Sequence, residues 1–429
     1  MALIVQKYGG TSVGSVERIK AVAERIKRTQ AGGHRVVVVV SAMADTTDDL
    51  LDLAGQLSSR PPLRELDQLL ATGEAQSMAL VALALHELGV PAISLSGPQA
   101  GIRTTGPYGK ARISGVRTGR LERQLAEGRA VIVAGFQGLN RADDVTTLGR
   151  GGSDTTAVAL AAALKADRCE IYTDVEGVYT ADPRLVPEAR KLDRIGYAEM
   201  AELAWRGAKV MHPRAIELGQ LYGVDILVAS SFGDRPGTLI TDRPLGGEIA
   251  ANGRGGIGRE GTQMENVNVI GGIAYDVGVA RVTVSDVPSG TATLAAIFGP
   301  LAEAEVSVDV IVVENTGKSG RSDVSFTVAE RELGAVEPVV RRAAEALGAA
   351  EVSMAGGFAK VSAVGTGMLN RPGYAARMFK ALAQGKIDVQ MVTTSEIQVT
   401  CVIAKDRVED AVRRLHRAFG LEASTKGEN

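Results

Sequence analysis

"LIVQKYGGTSVGSVERIKAVAERIKR", residues 3–28, is the stretch that decides the fold of this chain. A strand-like run at 3–8 leads through two glycines into a segment where Ile19, Val22 and Ile26 recur at helical spacing. A strand that passes through a tight turn into an amphipathic helix is the building unit of doubly wound α/β folds. In such folds, ligands bind beyond the carboxyl ends of the strands. The stretch therefore predicts an α/β domain with a site beside the glycines.

The same strand and helix signals recur through the first half of the chain. Strand-like runs without alternation lie at 35–43, 130–136, 168–173 and 224–230, and helical patterns lie at 46–58 and 63–88. Strands that are apolar on both sides need helices on both faces of their sheet. We therefore expect residues 1–245 to form an α/β domain with a central, mostly parallel sheet sandwiched by helices.

Composition excludes several classes of protein. The 429 residues are 45% hydrophobic and 23% charged, with a net charge of -2, which suits two or three globular domains and attracts neither nucleic acid nor an anionic membrane. Aromatic residues make up 4%, too few for base-stacking platforms. Cys169 and Cys401 lie far apart in apolar runs, and no signal peptide is visible. We expect buried free thiols and a cytoplasmic protein.

A glycine-rich stretch ends the first domain. Seven of the 17 residues at 246–262 are glycine, a composition that cannot support a packed core. We therefore predict a linker over 246–264.

An internal repeat follows the linker. Residues 280–308 resemble residues 359–389, since both contain a strand, a glycine-containing turn, a helix and a second strand. The repeat predicts two βαββαβ ferredoxin-like units, at 265–348 and 349–429. The second unit runs out of chain one strand early, and we expect the strand-like segment 265–274 to complete its sheet, so that the units are interlaced.

The first glycine turn is a candidate anion site. Gly9 and Gly10 allow close backbone approach, Ser12 adds a hydroxyl, and the next helix aims free N–H groups at the same place. Lys7, at the end of the strand, could place a positive charge on a transferring phosphate. The alternative is a tight strand-to-helix turn with a surface lysine.

The second glycine turn is "LGRGGSDTTAVALAAAL", residues 148–164. It lacks the lysine of a Walker loop, but Arg150 offers a planar fork for a carboxylate or phosphate. We expect Ser153 to cap the helix, and Asp154, in its first turn, to orient Lys7 or receive an ammonium group. The alternative is a capped helix start in which Asp154 serves only the helix dipole.

Three further segments carry polar groups with open roles. Thr173 and Asp174 end a strand, and "TADPR" (180–184) follows them, where acidic groups could hold ribose hydroxyls or magnesium through water or simply form a surface turn. Glu74 could receive a substrate amine or be a solvated helix residue. Lys209 could reach a phosphate, whereas His212, before a proline, is interpreted as structural. The four histidines have no metal-ligand spacing, so no zinc site is predicted.

Taken together, these motifs resemble one family. In chain order they are "KYGGTSV", "VVVVVSAM", "TGEAQS", "TLGRGGSDTTA", "YTDVEGVYTADPR" and "GAKVMHPRA". With the C-terminal repeat, they are similar to the aspartate kinases of the amino-acid kinase superfamily, which carry paired ACT domains. The resemblance spans essentially the whole chain, and the pair "KYGGTS" and "GRGGSD" is specific only in combination.

The resemblance implies ATP-dependent phosphorylation of the β-carboxylate of L-aspartate, giving 4-phospho-L-aspartate, the first step toward lysine, threonine and methionine. ATP would be a substrate with Mg²⁺, without a tightly bound organic cofactor. Lys7 and Asp154 would be the catalytic pair. The implied nucleotide-binding residues are Lys7, Tyr8, Gly9, Gly10, Ser12, Thr173, Asp174, Tyr179, Asp182, Arg184, Lys209 and Val210. The implied aspartate-binding residues are Ser41, Thr47, Glu74, Arg150, Gly151, Gly152, Ser153 and Asp154.

The resemblance also implies feedback regulation through the ACT units, by threonine, lysine or both. The candidate effector contacts are Asp286, Gly290, Ala292, Asp388 and Val389. Asp388 stands where inhibited members typically carry asparagine, so the effector stays open. We expect a homo-oligomer formed through the ACT units, or an α2β2 assembly if an internal start near Met264 makes a separate regulatory subunit.

Two alternative functions remain at this point. A kinase of the same superfamily that acts on glutamate, carbamate or a nucleotide would share the glycine turns, but is not expected to carry "TGEAQS" with a two-unit ACT tail. A non-catalytic amino-acid sensor would not need Lys7, Arg150 and Asp154 together.

Overall fold

The computed structural model describes residues 1–208, 210–242, 270–315, 320–366, 368 and 373–422. The predicted linker 246–264, Met264 and Lys209 lie outside these residues. The described chain divides into two units. The first comprises the described residues of Met1–Val178, Lys191–Ala204 and Lys209–Thr262, and the second those of Tyr179–Arg190, Trp205–Ala208 and Gln263–Asn429.

The strands of the first unit are short, and most are apolar on both sides. In chain order they are β1 (Leu3–Tyr8), β2 (Arg35–Val40), β3 (Ala92–Leu95), β4 (Ile102–Thr105), β5 (Arg112–Val116), β6 (Ala130–Ala134), β7 (Gln137–Leu139), β8 (Val145–Thr147), β9 (Arg168–Thr173), β10 (Arg194–Ile195), β11 (Ile226–Ser230) and β12 (Thr238–Ile240).

Helices separate these strands along the chain. They are α1 (Val16–Ala31), α2 (Thr46–Leu57), α3 (Leu63–Glu87), α4 (Gly119–Ala126), α5 (Gly152–Leu164), α6 (Tyr197–Trp205) and α7 (Pro213–Tyr222), with a 3₁₀ turn at Gly10–Val13. The predicted helices at 46–58 and 63–88 match α2 and α3 to within a residue.

The large sheet has the order β10-β12-β11-β9-β1-β2-β6-β3. Every pairing in it is parallel except that of β11 with β12, so the predicted mostly parallel sheet is confirmed. Val36, Val38 and Val40 face a core that includes residues of α1 and α3. Because side chains alternate along a strand, Val37 and Val39 point to the other face. Helix α5 packs against β1, β2 and β9 at the centre of the sheet.

A second, four-stranded sheet with the order β5-β4-β7-β8 was not predicted from the sequence. Its strands have three to five residues and include threonine, arginine and glycine, as in "IRTT" and "QGL". Runs this short and polar carry no hydrophobic period, so the pattern gave no signal. This sheet matters because β8 leads directly into the second glycine turn.

Helix α3 is long and apolar enough to cross a membrane by length and composition alone. It nevertheless carries two buried carboxyl side chains, Asp67 and Glu74, and contributes Val81 and Leu85 to the core under the sheet. These contacts are typical of a core helix of a globular domain.

The second unit is built from the C-terminal repeat. Its strands are β13 (Gly272–Pro288), β14 (Asp309–Asn315), β15 (Arg321–Ala329), β16 (Glu351–Val364), β17 (Val389–Ser395) and β18 (Gln398–Ala404). Its helices are α8 (Thr291–Glu303), α9 (Leu333–Leu347), α10 (Tyr374–Gln384) and α11 (Val408–Ala418), with 3₁₀ turns at Glu330–Glu332 and Lys405–Arg407.

Its strands form one antiparallel sheet with the order β14-β15-β13-β16-β18-β17. The two central strands are long and serve both repeats. The later part of β13 pairs with β15, while Gly272–Val277 pairs with Ala359–Val364 of β16, next to β18. Residues 272–277, which precede the first repeat, thus pair with the first strand of the second repeat on the side opposite β18. Residues 265–269 of the predicted strand lie outside the described residues.

Two large apolar clusters lie among the described residues of this unit, beside a small one formed by Val310, Met391 and Val402. One joins α8 and α9 to the later part of β13, around Ile297, Phe326 and Val340. The other joins α10 and α11 to β16 and β18 and includes Met378, Leu415 and, from the segment 179–190, Val186. Cys169 of the first unit and Cys401 of the second are buried and free, as predicted.

Candidate active site

Four strands of the first unit end side by side. The residues after these ends are tied together by backbone hydrogen bonds: Gly9 N–H donates to Tyr172 O (3.3 Å), Ser41 N–H to Tyr8 O (3.1 Å) and Ser231 N–H to Thr173 O (2.8 Å). The loops after β1, β2, β9 and β11 therefore leave the sheet at one edge. This is the edge where parallel α/β sheets bind ligands.

Lys7 and Asp154 meet at this edge. Lys7 is the penultimate residue of β1 and Asp154 lies in the first turn of α5, and Lys7 Nζ is 2.6 Å from Asp154 Oδ1. Their side chains are 11% and 12% exposed. The other carboxylate oxygen, Asp154 Oδ2, accepts the backbone N–H of His212 at 3.4 Å. A largely buried ion pair fixes the ammonium group in one place, which is what electrostatic stabilisation of a transferring group requires.

The second glycine turn differs from the prediction in its cap. The capping position of α5 is Gly151, with φ 70°, and Ser153 lies inside the first turn, so the expectation that Ser153 caps the helix is wrong. The chain enters α5 through a left-handed residue, which glycine adopts without strain. A Cβ on Gly151 would lie 2.1 Å from the Cβ of His212, so no other residue fits. A Cβ on Gly152 would lie 2.8 Å from the ring of Phe136.

Arg150 and Ser153 sit on either side of this glycine pair. Arg150 is exposed at the tip of the turn, where its guanidinium is accessible to a ligand, and Ser153 is 8% exposed. The turn thus carries an exposed cation at Arg150 and leads into the buried Asp154, which pairs with Lys7.

Glu74 is a buried carboxylate on α3. It is 3% exposed, and its Oε1 accepts the backbone N–H of Ala42 at 3.2 Å. Its Oε2 is buried and has no hydrogen-bond partner among the described residues. Burial raises the pKa of this carboxyl to about 7. A desolvated carboxylate oxygen with spare accepting capacity suits an ammonium group.

Ser41 and Thr47 flank the loop between β2 and α2, which Glu74 contacts through Ala42. Ser41 follows β2 and Thr47 is in the first turn of α2, and both are half-buried. Glu74 bonds to Ala42, the residue after Ser41, and a Cβ on Gly73 would lie 2.8 Å from the Cβ of Ala42. The close approach of α3 to this loop brings the predicted aspartate-binding residues of α2, α3 and the β2 end together.

The first glycine turn serves packing as well as access. A Cβ on Gly10 would lie 2.8 Å from Ala42 O, so this glycine permits contact with the neighbouring loop. A Cβ on Gly9 would lie 3.5 Å from Lys7 Nζ, which puts the Gly9 backbone beside the ammonium group. Ser12 is buried, and its Oγ donates to Ser231 Oγ (2.9 Å), which donates in turn to Thr173 O (3.1 Å).

Tyr8 lies below the site. Its ring is fully buried, stacks on Tyr172 with centroids 5.0 Å apart, and belongs to the core with α1 and α3. Burial raises the pKa of Tyr8, and its hydroxyl donates to Gln6 Oε1 at 3.2 Å. Only the backbone of Tyr8 could therefore contact a nucleotide.

The remaining predicted nucleotide residues fall in both units. Thr173, Asp174 and Val210 belong to the first unit, and Thr173 Oγ1 donates to Asp174 Oδ1 at 3.0 Å. The other three, Tyr179, Asp182 and Arg184, belong to the second unit.

In that second unit, Asp182 is already well bound. Arg184 donates to its carboxylate through Nε (3.0 Å) and Nη2 (2.7 Å), and the Tyr275 hydroxyl donates to it at 3.0 Å. The hydrogen bond from Arg184 lowers the pKa of Asp182. Arg184 itself is 81% exposed.

The candidate effector residues are spread over the second unit. Asp286, with φ 56°, lies at a bulge of β13, where its backbone N–H donates to Asp323 Oδ1 at 2.7 Å. Gly290 and Ala292 lie at the start of α8. Asp388 and Val389 line an open cavity of about 460 Å³ together with Phe379 and Lys386.

Sequence reasoning missed three residues that build the site, while a fourth, His212, has a structural role, as its position before a proline suggested. Ser231 links the ends of β1 and β9, and His212 supports both Asp154 and Gly151. Asp67 and Arg214 bind the backbone next to the second glycine turn. Only the "HPR" start of α7 offered a sequence signal, since its histidine and proline mark a helix N-terminus.

Comparisons with known proteins agree with this architecture. Residues 2–230 match the amino acid kinase family, and residues 361–419 match an ACT domain. An aspartokinase of Bacillus sp. (strain MGA3) is 47% identical over 424 residues, covering 99% of this chain and 98% of that protein. An aspartokinase of Mycolicibacterium smegmatis is 49% identical over 426 residues, covering 98% of this chain and 97% of that protein.

A solved structure also matches over nearly the whole length. The crystal structure of E. coli aspartokinase III in complex with aspartate and ADP has a TM-score of 0.78 at 25% identity, covering 97% of this chain and 99% of that chain. Fold, order of domains and full-length similarity point the same way. This chain therefore belongs to the aspartokinases, the aspartate kinases of the amino acid kinase family.

Proposed function

We propose that this enzyme transfers the γ-phosphoryl group of ATP to the β-carboxylate of L-aspartate, giving 4-phospho-L-aspartate and ADP. The observation that carries the proposal is the largely buried Lys7–Asp154 ion pair, 2.6 Å long, with the Gly9 backbone beside it and Asp154 in the first turn of the helix that follows Arg150. That aspartokinase III of E. coli was crystallised with aspartate and ADP supports the same pair of ligands here.

The reaction requires little proton transfer by protein side chains. A carboxylate oxygen of aspartate attacks the γ-phosphorus, a P–O bond forms, and the P–O bond to ADP breaks with its electron pair leaving on ADP. The nucleophile is already ionised at neutral pH, so no general base is needed. Catalysis must come from positioning and from stabilising phosphate charge. Lys7 supplies the charge, and Asp154 keeps its ammonium group in place.

Aspartate binding divides between two charged groups. Glu74, with its unsatisfied buried Oε2, would receive the α-ammonium group, and Arg150 would bind a carboxylate through its planar fork. Ser41, Thr47 and Ser153 supply hydroxyls around the same substrate. The Gly151–Gly152 backbone allows the substrate to approach the start of α5.

Mg²⁺ is compatible with this site. Within the described residues, no group of three His, Cys, Asp or Glu side chains could hold a metal ion. Mg²⁺ usually keeps several water ligands and is coordinated by substrate phosphates together with few protein side chains. Asp174, exposed at the end of β9, is the side chain we propose beside it. Bound there, the ion would neutralise developing phosphate charge.

We further propose feedback regulation by threonine or lysine through the second unit, and a place at the first step of lysine, threonine and methionine synthesis in the cytoplasm. A structure of E. coli aspartokinase III with lysine and aspartate, at TM-score 0.73 and 26% identity, supports regulation of this kind. Assembly as a homo-oligomer or, with a start at Met264, as α2β2 stays a prediction. Titrating activity against each amino acid, singly and paired, identifies the effector.

A hydroxamate assay tests the reaction. With ATP, Mg²⁺ and hydroxylamine, we expect a hydroxamate with aspartate and none with glutamate. Lys7→Met should reduce this signal by a factor on the order of 10² or more, since it removes the charge that stabilises the transferring group. Signal with glutamate instead would favour a different carboxylate kinase. No signal with either substrate would favour the amino-acid sensor.

A further inference from the structure

Arg214 binds the backbone of two segments far from it in sequence. It lies in the first turn of α7 and is half-buried. Its Nη1 donates to Leu148 O at 2.7 Å, and its Nη2 donates to Ala111 O at 3.2 Å. Leu148 opens the second glycine turn. A guanidinium that binds two carbonyls at once fixes both their separation and their orientation, because its donors form a rigid planar fork.

Asp67 of α3 holds the same two segments by their donors. Its carboxylate is 1% exposed and accepts the Thr147 N–H (2.9 Å), the Thr147 hydroxyl (2.6 Å) and the Gly109 N–H (3.0 Å). The segments are also joined directly, because Ala111 N–H donates to Thr147 O at 3.0 Å. The Asp67 carboxylate and the Arg214 guanidinium thus hold residues 109–111 and 147–148 together.

The start of α7 also contacts the part of the turn that follows Arg150. The N–H of His212 donates to Asp154 Oδ2, and its ring packs so closely on Gly151 that no Cβ fits there. His212 and Arg214 are linked, since Arg214 N–H donates to His212 Nδ1 at 3.3 Å. One helix start therefore contacts residue 148 before Arg150 and residues 151 and 154 after it.

We propose that Arg214 is a positioning residue for the kinase reaction: by holding Leu148, it sets where the exposed Arg150 meets a carboxylate of the amino-acid substrate. This rests on the proposed function, because Arg150 is assigned to aspartate there. In this proposal Arg214 does not contact the substrate, and it acts through the backbone at Leu148, to which it donates directly.

Arg214→Met tests the proposal, since it keeps most of the apolar stem and removes both hydrogen bonds. The turn then loses its anchor at Leu148, and Arg150 is no longer held where it must bind. We expect the KM for aspartate to rise roughly tenfold or more, because misplacement of about 1 Å can cost up to ~10²-fold. The KM for ATP should change less than about twofold, within the scatter of unrelated variants. Arg214→Lys, which can reach one carbonyl at a time, should fall between.

A double-variant cycle separates this role from a general loss of structure. If Arg214 acts through Arg150, Arg150→Ala should raise the KM for aspartate, and adding Arg214→Met should raise it little further. Multiplied effects would overturn the proposal, because they would show that Arg214 contributes independently of Arg150. Failure of Arg150→Ala itself to change the KM would instead remove the proposed function of Arg150.

Arg112→Met is the matched electrostatic control. Burial and then the nearby charge of Arg112 lower the pKa of Arg214, so Arg112 is close to it, but Arg112 is exposed on β5 and donates to neither carbonyl. Removing it should leave the KM for aspartate unchanged. An equal rise in both variants would assign the effect to lost charge and overturn positioning.

Hydrogen exchange decides the case in which Arg214→Met folds poorly. The conservative Arg214→Lys full-length protein should then show faster amide exchange at residues 147–151 than the native chain, with unchanged exchange in β1 and β9. Native exchange at 147–151 in Arg214→Lys, together with a native KM for aspartate, would overturn the proposal.

Discussion

Glu74 is the residue whose chemistry depends most on its surroundings. Burial raises its pKa to about 7, and the carboxylate is the form that attracts an ammonium group. We therefore predict that kcat/KM for aspartate falls as pH drops through about 7, because a growing fraction of free enzyme carries a neutral carboxyl. The apparent pKa should move lower in kcat, since bound substrate favours the charged form. Initial rates from pH 5.5 to 9, a span set roughly by this value, measure both.

Two substitutions on the same helix control this prediction. Glu74→Gln should give a low kcat/KM without this titration, while Glu65→Gln, at an exposed position of α3, should keep the native profile. An unchanged pH profile in Glu74→Gln would show that another group titrates.

The pH dependence of stability at Glu74 runs opposite to that of substrate binding. A carboxyl with a raised folded-state pKa loses stability as pH rises toward that pKa, so Glu74→Gln should resist urea better than the native chain at pH 8.

Which site residues the sequence could supply follows from how they act. Lys7, Glu74, Arg150 and Asp154 are charged residues within recognisable motifs, and the structure brings Lys7 to Asp154. His212 donates its backbone N–H to the Asp154 carboxylate, and Arg214 donates to the Leu148 carbonyl, although these partners lie 58 and 66 positions away in sequence. No local pattern encodes such partners. Their role is visible only once the chain is folded.

The entry to α5 is the element on which the active site depends. Gly151 has φ 70° and lies against His212, so Gly151→Ala combines backbone strain with overlap. We predict that it lowers the free energy of unfolding by more than the ~1–3 kcal/mol typical of strain alone, and that it impairs activity by shifting Asp154. Urea unfolding and steady-state rates measure the two effects.

Gly128→Ala is the matched control for this element. Gly128 has φ 75° and nothing within 4 Å of the position a Cβ would take, so alanine there carries the strain without the overlap. The difference between the two variants reports the contact with His212. Equal losses of unfolding free energy would mean that the helix start can move away from His212 at no cost.

At the same scale, long apolar elements were predictable and short polar ones were not. The strand predicted at 168–173 and helices α2 and α3 agree with the structure because their patterns run over six or more residues. The cap of α5 was missed because serine is the usual capping residue, whereas the observed turn needs a left-handed backbone at Gly151. At this helix start, the left-handed backbone conformation determined the capping residue, and the usual preference for a serine side chain did not.

At the scale of the whole molecule, the interpretation of the repeat explains the single sheet of the second unit. The boundaries placed at 245 and 348 remain predictions, but contacts group two segments from within 1–245, namely 179–190 and 205–208, with the second unit. Ile273 N–H donates to Thr180 O at 2.8 Å, and Arg413 donates to Leu185 O at 2.7 Å. The sequence could not indicate this, because the segment 179–190 reads locally as a polar turn.

This grouping predicts which mutations loosen the segment 179–190, which holds three of the proposed nucleotide-binding residues. Val186 shares an apolar cluster with the fully buried Met378. Met378→Ala should cost ~2–5 kcal/mol of local packing and should speed amide exchange of 179–190 in the full-length protein. Ile297→Ala, equally buried in the cluster of α8 and α9, should leave that segment unchanged. If Met378→Ala also raises the KM for ATP while that for aspartate holds, the segment contributes to nucleotide binding. Native exchange in 179–190 would mean that its packing on this cluster does not hold it.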